Sequence, residues 1–165
     1  MISPQVIRTV LCAACGLLLS AAFLLEIVFH QLPCPLCVIQ RLFLIGMILV
    51  TLLPPYRKPH CWQAVVFTLL SMLALSVALR QVYLQLMPQA QLSGCGGDLR
   101  FMLQNLPFLQ VIFEVYHGSG SCSEMGMTFL GLSLAMWAAF AFAGLSGIGG
   151  YWVKCVVQRT RVIPS

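Results

Sequence analysis

The stretch PCPLCVIQRLFLIGMILVTLLPPYRKPH (Pro33–His60) decides the architecture, because it runs from a cysteine-bearing turn through an apolar segment into a basic, proline-rich turn. Its middle, about Cys37–Leu53, is nearly unbroken apolar sequence, close to the roughly 20 helical residues that cross a bilayer core. Three more runs of this kind lie outward from it, at about Val10–Phe29, Trp62–Tyr83 and Thr128–Tyr151. The expectation is an all-α membrane protein, a four-transmembrane-helix bundle built by residues 1–165 as a single domain. Composition agrees. The chain is 60% hydrophobic and 8% charged, too little charge to cover a soluble domain of this size. The net charge of +5 does not point to nucleic acid, because the basic residues are scattered at the ends of apolar runs.

Lysine and arginine set the direction of the spans. Arg8, Arg57, Lys58, Lys154, Arg159 and Arg161 fall on one side, against Arg80 and Arg100 on the other, with Arg41 just inside the second span. Both termini and the Pro54–His60 turn are therefore expected in the cytoplasm. The short loop at about 30–36 and the long loop at about 84–127 then face outward. A cleaved signal peptide is the alternative for the first run. It lacks a clean small-x-small site and carries Glu26 near its end, so a retained span is the reading adopted.

With that topology the eight cysteines separate into two sets. Cys34, Cys37, Cys95 and Cys122 lie at or beyond the outer face, where disulfides persist. Cys12, Cys15, Cys61 and Cys155 lie in the spans or near the reducing side. Cys34 and Cys37 have C-x-x-C spacing at a helix start, and Pro33 and Pro35 suit an extended approach and a first helical turn. Cys37 then sits near the positive end of the helix dipole, a position that favours thiolate over thiol. Arg41 follows at i+4 on the same face.

An arginine within a span needs a partner or a purpose. No acidic residue occurs between Glu26 and Asp98, so a local ion pair is not expected, and Glu26 reaches Arg41 only through helix packing. The other partner is a transient anion, either a thiolate or the reduced carbonyl oxygen of a membrane-soluble carrier. A redox-active dithiol beside a cation at membrane depth suits electron transfer to a quinone. Two blander readings stand beside it: a structural disulfide with Arg41 snorkelling to the headgroups, or a zinc site using all four outward cysteines.

Cys95 in SGCGGD and Cys122 in GSGSCSE are flanked by glycine and serine, which favour exposed, adaptable backbone. Between them Phe101, Leu106, Phe108, Leu109, Ile112, Phe113 and Tyr116 make a segment too apolar for an outside loop. Short amphipathic pieces broken at Pro107 and lying on the outer membrane surface are expected. Such docking keeps the second cysteine pair near the first, and thiolate attack on sulfur passes oxidation between pairs through mixed disulfides.

PCPLCVIQR (Pro33–Arg41), SGSCSE and FLGLSLAMW (within Ser119–Trp137), together with the four spans, resemble the disulfide bond formation protein B (DsbB) family over nearly the whole chain. The resemblance implies a quinone reductase of the bacterial inner membrane, with its redox-active cysteines facing the periplasm. It implies that Cys34 and Cys37 form the membrane-proximal pair, with Cys37 next to the quinone and Arg41 in the quinone site. Cys95 and Cys122 look like the pair that takes electrons from a DsbA-like periplasmic thioredoxin-fold oxidase. Gln85, in YLQLMP, resembles a glutamine near the family's quinone pocket. The exchangeable carrier is ubiquinone or menaquinone, and no metal is implied. Where some relatives place proline before the fourth-span tryptophan, this chain reads Ala135-Met136-Trp137.

The remaining polar and sulfur residues have ordinary readings beside functional ones. Cys12 and Cys15 read as packing residues, and Cys61 and Cys155 as unpaired thiols. His30 and His117 flank the outward pairs and read as edge histidines or proton carriers. Glu26 is suspect because carboxylates within spans are rare. Trp137 reads as span packing and Trp152 as an interface anchor.

Overall fold

The computed structural model describes residues 3–29, 35–54, 61–86 and 128–162. Among the described residues there are four helices, α1 (Pro4–Phe29), α2 (Pro35–Leu52), α3 (Cys61–Leu86) and α4 (Leu134–Val162). Helix starts follow local chemistry. Ser3 precedes α1, its hydroxyl accepting from Val6 N at 3.4 Å, while Pro4 occupies the first helical position, where its missing N–H costs nothing. Pro35 opens α2 in the same way.

Helices α1, α3 and α4 are each long and apolar enough to cross a membrane, whereas α2, at 18 residues, is shorter. Helices α2, α3 and α4 alternate in direction, as three contacts along α3 show. Gln63, near its start, reaches the end of α2. Phe67 meets Trp152 near the end of α4, and Gln81, near the end of α3, reaches the start of α2. The main helix contacts run α1–α2, α2–α3, α3–α4 and α4–α1, which closes the bundle.

Helix α3 is the central strut. Among its buried residues, Ala64, Phe67, Ser71, Ala74, Ala78 and Gln81 recur at alternating steps of three and four, one continuous stripe. Most are small, which lets neighbouring backbones approach where lipid provides no hydrophobic drive. The matching stripe on α4 is Phe142, Leu145, Trp152 and Val156, with Gly149 at the step between Leu145 and Trp152. A Cβ on Gly149 would stand 2.8 Å from Thr68 Oγ1, so this crossing requires glycine. Gln63, fully buried, donates to Leu53 O at 2.8 Å and Val50 O at 3.3 Å. It thereby satisfies carbonyls left open at the end of α2.

Two expectations are corrected. The fourth span does not start at Thr128. Residues Thr128–Phe129 (β1) and Leu132–Ser133 (β2) form a small antiparallel hairpin, and the helix begins at Leu134. Leu130 and Gly131 turn the chain with φ of 54° and 78°, the doubly left-handed turn that suits a two-residue hairpin loop. The apolar pattern across these residues hid the turn. Trp152 is not an interface anchor but is fully buried, edge-on to Phe67 with ring centroids 6.1 Å apart. Trp137 is 40% exposed. The reason is helical phase: Trp152 falls on the α4 stripe that faces α3, three residues past the space left by Gly149.

Candidate active site

The site gathers where α1 and α3 end and α2 and α4 begin. Cys37 lies in the first turn of α2, and its sulfur is disulfide-bonded. The Gln81 side chain donates Nε2–H to that sulfur at 3.3 Å, and Gln40 Nε2 donates to Gln81 Oε1 at 3.0 Å. Both glutamines are buried, at 7% and 6% exposure for Gln40 and Gln81. A carboxamide within an apolar bundle is costly unless its donors and acceptors are met; here Gln40 donates to Gln81, which in turn donates to the sulfur.

One turn deeper than Cys37, Arg41 is gripped by α1. It forms an ion pair with Glu26, donates Nη2–H to the Ala22 carbonyl at 3.1 Å, and lies over the Phe23 ring at 4.8 Å from Cζ to centroid. The partner is thus the one that sequence allowed only through helix packing, and not a local one. Fifteen residues of sequence separate the two charges, but the close α1–α2 packing brings them together. With the carboxylate beside it, Arg41 offers directed N–H donors more than an uncompensated charge.

Gln85 lies one turn beyond Gln81 on α3. Its Oε1 accepts from Ser133 Oγ at 2.7 Å. Ser133 immediately precedes α4, where its hydroxyl also accepts from Met136 N at 3.4 Å, the N-cap arrangement. The hairpin thus fastens the start of α4 to the end of α3 through one hydroxyl.

Of the residues expected from sequence, Cys37, Arg41 and Gln85 are described and lie at this end of the bundle. Cys34, Cys95, Cys122, His30, His117 and the amphipathic pieces of the long loop lie outside the described residues. Gln81, Gln40, Phe23 and Ser133 were not assigned to the site from sequence, whereas Glu26 was weighed as a partner that helix packing would have to bring. A signal for Gln81 existed: two glutamines four residues apart within an apolar run require partners on one face. Cys15 is fully buried and Cys12 half-buried, both as reduced thiols, as are Cys61 and Cys155.

A helical membrane protein with a disulfide at the mouth of one helix, braced by neutral amides and an ion pair, is a class suited to thiol–disulfide chemistry at a bilayer surface. The chain belongs to the family Disulfide bond formation protein DsbB, whose profile matches residues 4–152. It is 36% identical to Disulfide bond formation protein B of Saccharophagus degradans, over 81% of this chain and 82% of that one. The corresponding protein of Stutzerimonas stutzeri is 32% identical over 96% of each chain. That of Marinobacter nauticus is 39% identical over 82% of this chain and 83% of that one. No solved structure matches the chain.

Proposed function

We propose that the chain is a quinone-dependent disulfide oxidase of the bacterial inner membrane that reoxidises a DsbA-like periplasmic thioredoxin-fold oxidase. In this reading it is one domain with both termini cytoplasmic and α1 retained, since α1 supplies Glu26 to the site. The observation that carries the proposal is the disulfide-bonded Cys37 in the first turn of α2, with a hydrogen bond from Gln81 and Arg41 one turn deeper.

The partner's dithiol attacks the Cys95–Cys122 disulfide through a mixed disulfide and leaves as a disulfide, reducing the loop pair to two thiols. The reduced loop pair then attacks the Cys34–Cys37 disulfide, is itself reoxidised, and leaves Cys37 as thiolate. Six peptide units separate Cys122 from Thr128, which limits their spacing to about 20 Å, so the hairpin tethers the loop cysteine near this end of the bundle. A bound quinone supplies the sink for two electrons and two protons.

The residues present fit such a carrier. Two quinone carbonyls need hydrogen-bond donors at membrane depth, and Arg41 N–H groups and the Gln85 amide offer them. Arg41 stays anchored to Glu26, Ala22 O and Phe23, so its donors are already oriented when negative charge arises on sulfur or on a carbonyl oxygen.

The test uses purified protein with a reduced thioredoxin-fold partner and ubiquinone or menaquinone, following quinol by absorbance. One quinol should form per partner disulfide, and Cys37→Ser should abolish it. Quinol formation unaffected by Cys37→Ser would remove Cys37 from the electron path. Disulfides that the reduced partner cannot open would leave them as braces of the outer face.

A further inference from the structure

The Gln40–Gln81–Cys37 chain of hydrogen bonds joins α2 to α3 at the reacting sulfur, and its direction is fixed by donor chemistry. A disulfide sulfur carries no hydrogen, so Gln81 must turn its NH2 toward Cys37 at 3.3 Å, which leaves its oxygen to accept the Gln40 N–H at 3.0 Å. Burial of both amides removes water as a competing partner. A disulfide sulfur is a weak acceptor, whereas a thiolate is a strong one. The bond from Gln81 therefore gains strength only when the disulfide opens, the condition for speeding a step rather than merely stabilising the resting state.

We infer that Gln81 is the hydrogen-bond donor that receives the Cys37 thiolate when its disulfide opens, and that Gln40 is a positioning residue that orients Gln81. The inference rests on the relay reading above. In the step concerned, an incoming thiolate forms a bond to the sulfur paired with Cys37, the old S–S bond breaks, and Cys37 departs with the electron pair. Negative charge appears on Cys37 where a neutral sulfur stood, and Gln81 already points a donor at it. Charged groups on the described elements at this end are Arg41 of α2, Glu26 of α1 and Arg80 of α3, while α4 carries none before Lys154. Arg41 is engaged by α1, and Gln81 gives the sulfur a direct contact from a neutral amide.

The experiment measures alkylation of Cys37 by iodoacetamide in the fully reduced, full-length protein in detergent at neutral pH, quantified on the Cys37 peptide by mass spectrometry. Thiolate ultraviolet absorbance gives a second readout. Gln81→Leu should slow alkylation about tenfold or more, the value of a hydrogen bond to a charged group, and lower the thiolate absorbance. Gln40→Leu should slow it less. The Gln40→Leu/Gln81→Leu double variant should match Gln81→Leu alone, because Gln40 acts through Gln81. The double variant also leaves neither amide buried without its partner, so it guards against a fold lost to one stranded amide.

Unchanged or faster alkylation in Gln81→Leu, together with unchanged thiolate absorbance, overturns the inference. An equal loss from Gln40→Leu with or without Gln81 overturns the positioning role. Neither quinone nor partner enters this assay. A wild-type protein that makes no quinol would sink the relay, whereas the alkylation result bears on Gln81 alone.

Discussion

Arg41 is held by a carboxylate, a backbone carbonyl and an aromatic face, all from one turn and a half of α1. Its side chain is 16% exposed and that of Glu26 31%, so the pair is only partly shielded from its surroundings. Glu26→Gln keeps shape and a hydrogen-bond acceptor but removes the compensating charge, leaving the guanidinium at membrane depth without its counter-ion. A loss of about 1–3 kcal/mol is expected, read by thermal unfolding in detergent, together with weaker α1–α2 association. Arg41→Lys should fail to restore function despite keeping the charge. One ammonium cannot contact Glu26, reach the Ala22 carbonyl and stack on Phe23 in one geometry. The check is quinol formation, and wild-type rates in Arg41→Lys would show that charge alone suffices.

At the scale of elements, the junction between the hairpin and α4 depends on Ser133. Ser133→Ala removes the α4 cap and the bond to Gln85 together. About 1 kcal/mol of stability should go with the cap, and quinone affinity should fall if Gln85 is thereby released; a titration of quinone binding checks the second effect. Leu130 is the strained part of the turn, a bulky, exposed residue at φ 54°. Leu130→Asn should raise stability by about 1 kcal/mol, since asparagine tolerates the left-handed region better. At the α3–α4 crossing, Gly149→Ala puts a methyl against Thr68 Oγ1, which is itself bonded to Ala64 O at 2.7 Å. The helices must separate or Thr68 must turn, and a cost of roughly 1–3 kcal/mol is expected by unfolding in detergent.

At the scale of the whole molecule, charge asymmetry and packing place Cys61, at the start of α3, and Cys155, near the end of α4, at the end opposite Cys37. In intact spheroplasts both thiols should resist a membrane-impermeant maleimide and react with a permeant one, and breaking the membrane should remove the difference. Labelling of Cys61 by the impermeant reagent would invert the proposed orientation and carry the relay to the wrong compartment.

Four apolar runs and the placing of Cys37 at a helix start were readable along the chain, because each depends on residues close in sequence. Span length, side preference and the chemistry of neighbouring cysteines are local properties, and the family resemblance rests on the same short motifs. The hairpin at Thr128–Ser133 was hidden because an apolar strand and an apolar helix start look alike without a polar turn residue. What only tertiary structure decided was partnership across helices: Glu26 with Arg41, Gln40 with Gln81, Gln81 with Cys37, and Trp152 against Phe67 beside the space left by Gly149. Within a span nearly every residue is apolar, so sequence gives only a faint sign of which face turns inward. Rotation of each helix about its axis is set by steric fit to its neighbours, and that rotation chose which amide meets the sulfur.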